Sequence, residues 1–275
     1  MEMSNTIARQ SAAAGTPRPD LQTQGQAPAP VQVEGLSKSF GKVRAVEDVS
    51  FEAREGEVFG VLGPNGAGKT TTLRLLATTI RPDQGTAIIR GHDIRRDPVA
   101  ARRSLGVLTA NIGLYPRLTA RENVAYFARL YGLSAAATRA RIDSLFTLLD
   151  MDEYANRRTD TFSTGMKQKV AIARAVVHDP PVLIFDEPTN GLDVLGARTV
   201  VEFIRACRAQ GKCVLFSTHQ MIDAAKLCDR VVIIHEGRVR AIGTVPDLLA
   251  QTGAADLEDA FLALVGSGQW AVGSS

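Results

Sequence analysis

A glycine-rich octapeptide, placed between a strand-like run and a helix-like run, constrains the fold of this 275-residue chain more than any other feature. It reads Gly-Pro-Asn-Gly-Ala-Gly-Lys-Thr over residues 63–70 and directly follows the apolar run Val58–Leu62. A triphosphate needs many backbone N–H donors converging on it, and glycine lets the backbone curl that closely. The following helix adds the positive end of its dipole. The alternative is a chance glycine-rich turn, which the flanking strand and helix disfavour.

The loop therefore predicts nucleotide binding. Lys69 is expected to neutralise the β- and γ-phosphate oxygens, and the Thr70 hydroxyl is expected to ligate Mg²⁺. The predicted phosphate-binding residues are Gly63, Pro64, Asn65, Gly66, Ala67, Gly68, Lys69, Thr70 and Thr71.

Two acids end a second apolar run. Asp186 and Glu187 follow Val182–Phe185. A buried strand that ends in acid places Asp186 at the carboxyl edge of the sheet, beside the phosphate loop, where it can hold Mg²⁺ directly or through water. Glu187 is then expected to orient and deprotonate the attacking water. Strands commonly end in a solvated acid, and only the phosphate loop upstream makes this pair a catalytic prediction.

Strand-like and helix-like stretches alternate along the chain, which predicts an α/β fold with a mostly parallel sheet. A helical block between Thr119 and about Val177 looks like an insertion between two strands, and its start, Thr119–Glu122, has the pattern of a capping box. The predicted strands are Val31–Val33, Val49–Ala53, Val58–Leu62, Thr86–Arg90, Leu105–Leu108, Val182–Phe185, Cys213–Ser217 and Val231–His235, and the helix after the phosphate loop is Thr70–Thr79.

Composition indicates the limits and surroundings of the folded part. Residues 1–30 are rich in Ala, Gln, Pro, Ser and Gly, which predicts a disordered tail before a domain over 31–265, and 266–275 is expected to be a flexible C-terminus.

No stretch approaches the roughly 18 apolar residues of a spanning helix. The net charge of +3 gives no reason to expect nucleic acid. Three cysteines without a CxxC pair fit a reducing compartment, so we expect a soluble cytoplasmic chain.

Three further segments follow the phosphate loop in a fixed order. They are Phe162–Gln168 (Phe-Ser-Thr-Gly-Met-Lys-Gln), Asp186–Asp193 (Asp-Glu-Pro-Thr-Asn-Gly-Leu-Asp) and Ser217–His219 (Ser-Thr-His). Together with the loop, they resemble the ATP-binding subunit of an ABC transporter over about residues 31–265. The resemblance implies an ATPase that uses ATP and Mg²⁺. It also implies a P-loop NTPase core with a mostly parallel sheet, an N-terminal antiparallel β subdomain, and an α-helical subdomain inserted at about 107–178.

The resemblance also implies how individual residues act. The family works as a head-to-tail dimer that holds each ATP between the phosphate loop of one subunit and the signature segment of the other. Ser163 and Gly165 are therefore expected on the partner's γ-phosphate, and Asp193 at the dimer seam. His219 is expected on the γ-phosphate or the attacking water, although a histidine at a strand end is ordinary in isolation. Phe40 matches the aromatic that stacks on adenine, with a core aromatic as the alternative. The predicted catalytic residues are Lys69, Glu187 and His219.

Two sites depart from the family pattern. In the signature Leu-Ser-Gly-Gly-Gln, Thr164 replaces the first glycine and Met166 the glutamine. Ala110 occupies the position of a glutamine that contributes to Mg²⁺ and relays the nucleotide state to the membrane partner, and Asn111 or a water is the candidate substitute.

The segment Leu114–Asn123 and the signature are similar to export-type ATPases, and within that group to NatA-type subunits associated with sodium efflux. The implied function is to drive a separate integral membrane permease from the inner face of the cell membrane, as a homodimer or with a paralogous ATPase subunit. The alternative is a non-transport ABC ATPase that acts as an ATP-driven clamp or regulator. One phosphate loop and no long coiled-coil insertion disfavour that alternative.

Arginines are concentrated in one part of the chain. Between Arg90 and Arg141 there are ten arginines and three acids, a larger local excess than the net +3 of the whole chain. One interpretation is a solvated helical face. The other is a basic surface that faces the permease and anionic headgroups.

Overall fold

Two β-sheets organise the part of the chain that the computed structural model describes, residues 28–109 and 113–266. The predicted strands are present, and six of the eight are longer than predicted, β1 and β2 by six residues or more and the others by one. The strands are β1 (Val31–Phe40), β2 (Val43–Ala53), β3 (Val58–Leu62), β4 (Gln84–Ile89), β5 (His92–Asp93), β6 (Leu105–Leu108), β7 (Val182–Asp186), β8 (Cys213–Thr218), β9 (Arg230–His235) and β10 (Arg238–Gly243).

The two sheets differ in strand direction. An antiparallel sheet has the order β2-β1-β4-β5, and a larger sheet has the order β10-β9-β3-β8-β7-β6. In the larger sheet the strands from β9 to β6 are parallel, and only the β9–β10 hairpin is antiparallel. The predicted fold class, with a mostly parallel core and an N-terminal antiparallel subdomain, is confirmed.

Helices cover the sheets and fill the segment between β6 and β7. The helix after the phosphate loop begins at Lys69 and ends at Leu76, three residues earlier than predicted. The predicted capping box is confirmed, since Thr119 Oγ1 accepts from the Glu122 N–H and the Glu122 carboxylate accepts from the Thr119 N–H. The helices are α1 (Lys69–Leu76), α2 (Pro98–Arg103), α3 (Ala120–Leu130), α4 (Ala135–Leu148), α5 (Thr164–Val176), α6 (Val194–Ala209), α7 (Met221–Leu227), α8 (Val245–Thr252) and α9 (Leu257–Val265).

Both faces of the parallel sheet are covered, and for this reason β3, β7 and β8 are continuous apolar runs. On one face, Phe59 and Leu75 pack with residues of the antiparallel sheet such as Ile89. On the other face, Phe185 and Phe216 pack with α3 to α6. The helical block is therefore joined to the parallel sheet by a shared apolar core.

The register of the parallel strands brings their carboxyl ends to one edge. Leu62 at the end of β3 pairs with Thr218 of β8, and Asp186 of β7 pairs with Ser217. The segments that follow these three strands therefore start side by side. Within residues 28–109 and 113–266, no helix is both long and apolar enough to cross a bilayer.

Some predictions fall on residues that the structure does not describe. Ala110 and Asn111, most of the predicted tail over 1–30, and all but the first residue of the predicted C-terminus over 266–275 lie outside the described residues. The predicted limits of the domain and of the helical subdomain stay predictions.

Candidate nucleotide site

The loop after β3 is shaped by glycines that no larger residue could replace. Gly63 and Gly68 have φ angles of 155° and 107°. A Cβ at Gly63 would overlap the carbonyl oxygen of Ile234, and a Cβ at Gly68 would overlap that of Ala45. Gly68 also begins α1 without a side-chain cap, so the first N–H groups of the helix are available to an anion.

Lys69 lies inside this loop. The residue is 4% exposed, and its Nζ donates to the carbonyl oxygens of Gly63 at 2.7 Å and Pro64 at 3.1 Å. Burial lowers the pKa of the Lys69 ammonium, while the carboxylates of Glu187 and Asp186 oppose that shift. The loop thus encloses a cation whose partners are mostly carbonyls, which suits it to bind phosphate oxygens.

Oxygen ligands suitable for Mg²⁺ meet at the end of β7. The Thr70 Oγ1 lies 3.2 Å from Asp186 Oδ1, and Asp186 is 3% exposed. Ser217 Oγ donates to the same carboxylate oxygen at 2.6 Å and holds it in place. Over 28–109 and 113–266, no group of three or more His, Cys, Asp or Glu residues could hold a metal. The pair fits Mg²⁺, which is commonly bound by one or two protein oxygens together with substrate phosphates.

Glu187 is held in a conformation that is uncommon for its residue type. Its φ is 48°, in the left-handed region, and its N–H donates to Ser217 Oγ at 3.0 Å. The carboxylate lies 3.1 Å from His219 Nδ1, 3.2 Å from Asn190 Nδ2 and 3.8 Å from Lys69 Nζ. Such strain persists only where the surroundings hold the residue, and it is often found at functional sites. The three predicted catalytic side chains therefore lie together.

A cleft of about 370 Å³ opens beside the loop. It includes much of the predicted loop, and it adds residues from the start of β2 and from the β9–β10 turn that sequence reasoning missed. Phe40 does not line it, although its strand partner Val43 does. Phe40 is 48% exposed, so the core alternative for this residue is excluded. The lining residues are Val43, Arg44, Ala45, Asn65, Gly66, Gly68, Lys69, Thr70, Thr71, Glu187 and Glu236.

The residues expected at the boundary with a second subunit, Ser163, Gly165 and Asp193, do not line this cleft. Ser163 is the N-cap of α5, where its Oγ accepts from the Met166 N–H at 3.2 Å. Asp193 is the N-cap of α6, where its carboxylate accepts from the Gly196 N–H at 2.6 Å. Ser163 and Asp193 are both exposed. One copy of the chain therefore does not bring the signature to its own phosphate loop.

Three residues that hold the site had no assigned role in the sequence. Ser217 bonds both acids of the pair, and Asn190 bonds the carboxylate of Glu187. Gln168 Nε2 donates to the Pro188 carbonyl at 3.0 Å. All three residues stand within segments that the sequence analysis quotes, but only the fold shows what each side chain contacts.

The sequence of the chain matches a known protein family. The sequence pattern described as ABC transporter matches residues 46–190, more than half of the chain. The chain is 45% identical to the ABC transporter ATP-binding protein NatA of Bacillus subtilis (strain 168) over 221 residues, which cover 80% of this chain and 90% of the relative. It is 41% identical to the Nod factor export ATP-binding protein I of Paraburkholderia xenovorans (strain LB400), over 85% of this chain and 77% of the relative.

Solved structures agree with the sequence relatives. One is described as the ATP-binding subunit of an ABC transporter and has a TM-score of 0.80 at 34% identity, covering 86% of this chain and 100% of the other. A dimeric post-hydrolysis state of the cassette MJ0796 bound to ADP and Pi has a TM-score of 0.71 at 26% identity, covering 78% and 98%.

The chain therefore belongs to the ABC transporter family of ATP-binding subunits. It is an ATPase with exporter-type relatives, as the sequence predicted.

Proposed function

We propose that two ATPase subunits, at least one of them this chain, close head to tail on ATP and drive a separate integral membrane permease that exports its cargo. The observation that carries this proposal is the meeting of Lys69, Asp186, Glu187 and His219 at one edge of the sheet beside the phosphate loop. The family membership, the relative named for export and the dimeric solved structure support it. The subunit would act at the inner face of the cell membrane, in contact with the permease.

In the proposed reaction, Lys69 and the loop N–H groups bind the β- and γ-phosphates. Glu187 accepts a proton from the attacking water, whose oxygen bonds to the γ-phosphorus as the bond to the bridging oxygen breaks, which yields ADP and phosphate. His219 holds the γ-phosphate or that water, and Phe40 stacks on adenine. Thr70 and Asp186 would hold Mg²⁺, which when bound neutralises charge on the phosphates.

The other half of the site comes from the second subunit. Ser163 and Gly165 would bind the partner's γ-phosphate through the hydroxyl, a backbone N–H and the helix N-terminus, and Asp193 would lie at the seam. Because these contacts exist only in the closed state, ATP binding favours closure and hydrolysis reverses it. The exposure of Ser163 and Asp193, away from their own cleft, supports this arrangement.

Glu187→Gln tests the shared site. We expect it to bind ATP, to lose hydrolysis by about 100- to 10,000-fold, and to accumulate a species of doubled mass in MgATP, measured by light scattering. Glu153→Gln, at an exposed position, is the matched control and should hydrolyse ATP normally. A Glu187→Gln protein that stays monomeric in MgATP would contradict the head-to-tail mechanism.

The partner and cargo need a separate experiment. The tagged subunit is recovered from gently solubilised host membranes in MgATP, and a co-purifying multi-spanning membrane protein is the expected result. Recovery from the soluble fraction with ribosomal or nucleic-acid partners would instead favour the clamp. We propose sodium as the first cargo to test, from the resemblance to NatA-type subunits, with drug efflux measured beside it in reconstituted vesicles.

A further inference from the structure

The side chain of Gln168 joins the signature helix to the loop that carries Glu187. Gln168 lies on α5, is 7% exposed, and donates from Nε2 to the Pro188 carbonyl at 3.0 Å in a buried hydrogen bond. Pro188 directly follows Glu187. We propose that Gln168 is a positioning residue for ATP hydrolysis, which keeps the Glu187 carboxylate in its working place by fixing the Pro188 carbonyl.

The backbone on both sides of Glu187 needs to be held. The left-handed φ of 48° at this residue persists only if neighbouring contacts maintain it. On the N-terminal side, the Glu187 N–H donates to Ser217 Oγ at 3.0 Å. On the C-terminal side, Pro188 has no N–H, so its carbonyl is the only backbone group that can form a hydrogen bond. Gln168 satisfies that buried carbonyl, and the Asn190 N–H donates to the carbonyl of Glu187 itself at 3.1 Å, so hydrogen bonds hold the backbone on both sides of Glu187.

The same loop lies along the first turns of α5. A Cβ on Gly165 would lie 3.5 Å from Leu192 Cδ2, and one on Gly191 would lie 3.8 Å from Thr164 Cγ2. The start of α5 and this loop are therefore close neighbours, and in the proposal the Gln168–Pro188 hydrogen bond passes movement of the helix to the loop that starts at Glu187. This step rests on the proposed function, which places Ser163 of the same helix on the partner's ATP. Gln168 would then make Glu187 at one ATP sensitive to the other ATP.

The first experiment separates positioning from binding. Gln168→Met keeps an unbranched side chain of similar length and removes the donor. We expect kcat to fall about 10- to 100-fold, since a buried carbonyl loses its partner, with KM for ATP within about twofold because the phosphate loop is untouched. Gln168→Glu, which puts an acceptor where the donor was, should lower kcat in the same way. Gln251→Met, the same change at an exposed site on α8, is the control.

The second experiment asks whether Gln168 acts through Glu187. In a Glu187→Gln background, adding Gln168→Met should change neither the residual rate nor the fraction of ATP-dependent dimer, because residues that act as a unit are not additive. A merely structural role would lower the dimer fraction in that background, and this result would overturn the proposal.

The single variants distinguish a failure of the positioning role of Gln168 from a failure of the proposed role of Glu187. If Glu187→Gln is inactive while Gln168→Met and Gln168→Glu turn over like Gln251→Met, the positioning role is wrong and the proposed function stands. If Glu187→Gln hydrolyses ATP at the wild-type rate, the role of Glu187 and the inference built on it both fail.

Discussion

At the scale of single residues, the pKa of the His178 imidazole depends strongly on the groups around it. Its Nε2 donates to the Leu105 carbonyl at 3.0 Å, and Nδ1 has no hydrogen-bond partner among the described residues. Burial lowers the pKa of His178 to about 4, and the nearby cations Lys212 and Arg141 act in the same direction, against the Leu105 hydrogen bond and the charge of Asp179. The ring is therefore neutral in the folded protein at neutral pH.

Acid should weaken the fold through this residue. In the unfolded chain His178 has the ordinary pKa of 6.5, so as the pH falls from 6.5 towards about 4 the unfolded state binds the proton first and stability is lost. The slope is at most about 1.4 kcal/mol per pH unit. His178→Phe, which keeps a ring against Tyr131, should flatten this part of the profile, measured by urea unfolding at several pH values. His92→Phe, at a half-exposed site, is the control, and equal profiles for His178→Phe and wild type would contradict the prediction.

At the scale of elements, short polar side chains begin most of the helices. Thr119, Ser134, Ser163, Asp193 and Thr244 each accept a backbone N–H from the first turn that follows. Such caps satisfy donors that have no partner within the helix. Ser163 and Asp193 were singled out in the sequence for contacts with a partner, and the structure shows that each also begins a helix. A substitution of either residue that tests the predicted partner contact therefore also removes a helix cap.

Thr119→Ala tests the cap that the sequence predicted. We expect the free energy of unfolding to fall by about 1 kcal/mol, since the Glu122 N–H loses its side-chain acceptor at the start of α3. In a chain of this size that corresponds to a Tm lower by about 2–4 °C, measured by calorimetry. Thr119→Ser keeps the oxygen and should stay within about 0.5 kcal/mol of wild type. A serine variant as unstable as the alanine variant would show that the methyl group, not the cap, is what matters.

At the scale of the whole molecule, the arginine-rich segment is partly neutralised by acids from outside it. Arg90 pairs with Glu55 at 3.5 Å, and Arg141 pairs with Asp179 at 2.7 Å. Arg102 and Arg103 at the end of α2 are exposed. The positive charge counted along the segment therefore overstates the unneutralised charge in the fold. Arg102 and Arg103 contribute positive charge that faces solvent.

The double variant Arg102→Glu and Arg103→Glu tests the basic surface. If this face meets anionic headgroups, the membrane-bound fraction should fall at low salt and the difference should shrink at high salt, because salt screens exposed charges. Sedimentation with vesicles that contain the permease measures this. Arg54→Glu with Arg208→Glu makes the same charge change at exposed positions outside the segment. Unchanged association at both salt concentrations would favour a merely solvated face.

The local chemistry of the site could be predicted from the sequence because phosphate binding imposes short spacings. The glycine loop, the acid pair after an apolar run and the capping box are each contained within a few consecutive residues. The parallel strands were also predicted, because burial on both faces makes them continuous apolar runs. β10 was missed, since Arg238–Gly243 alternates exposed and half-buried positions and has a shift in register between Val239 and Ala241.

Only the tertiary structure decided which distant residues meet. Thr70 and Asp186 are 116 residues apart and come within 3.2 Å because β3 and β7 are both neighbours of β8 and end at the same edge. The same register places Ser217 on Asp186 and His219 on Glu187. The contact of Gln168 with Pro188 depends on how α5 packs beside that edge, and no spacing along the chain encodes it. Short-range patterns determine what each segment can bind, while strand order and packing determine which segments act together.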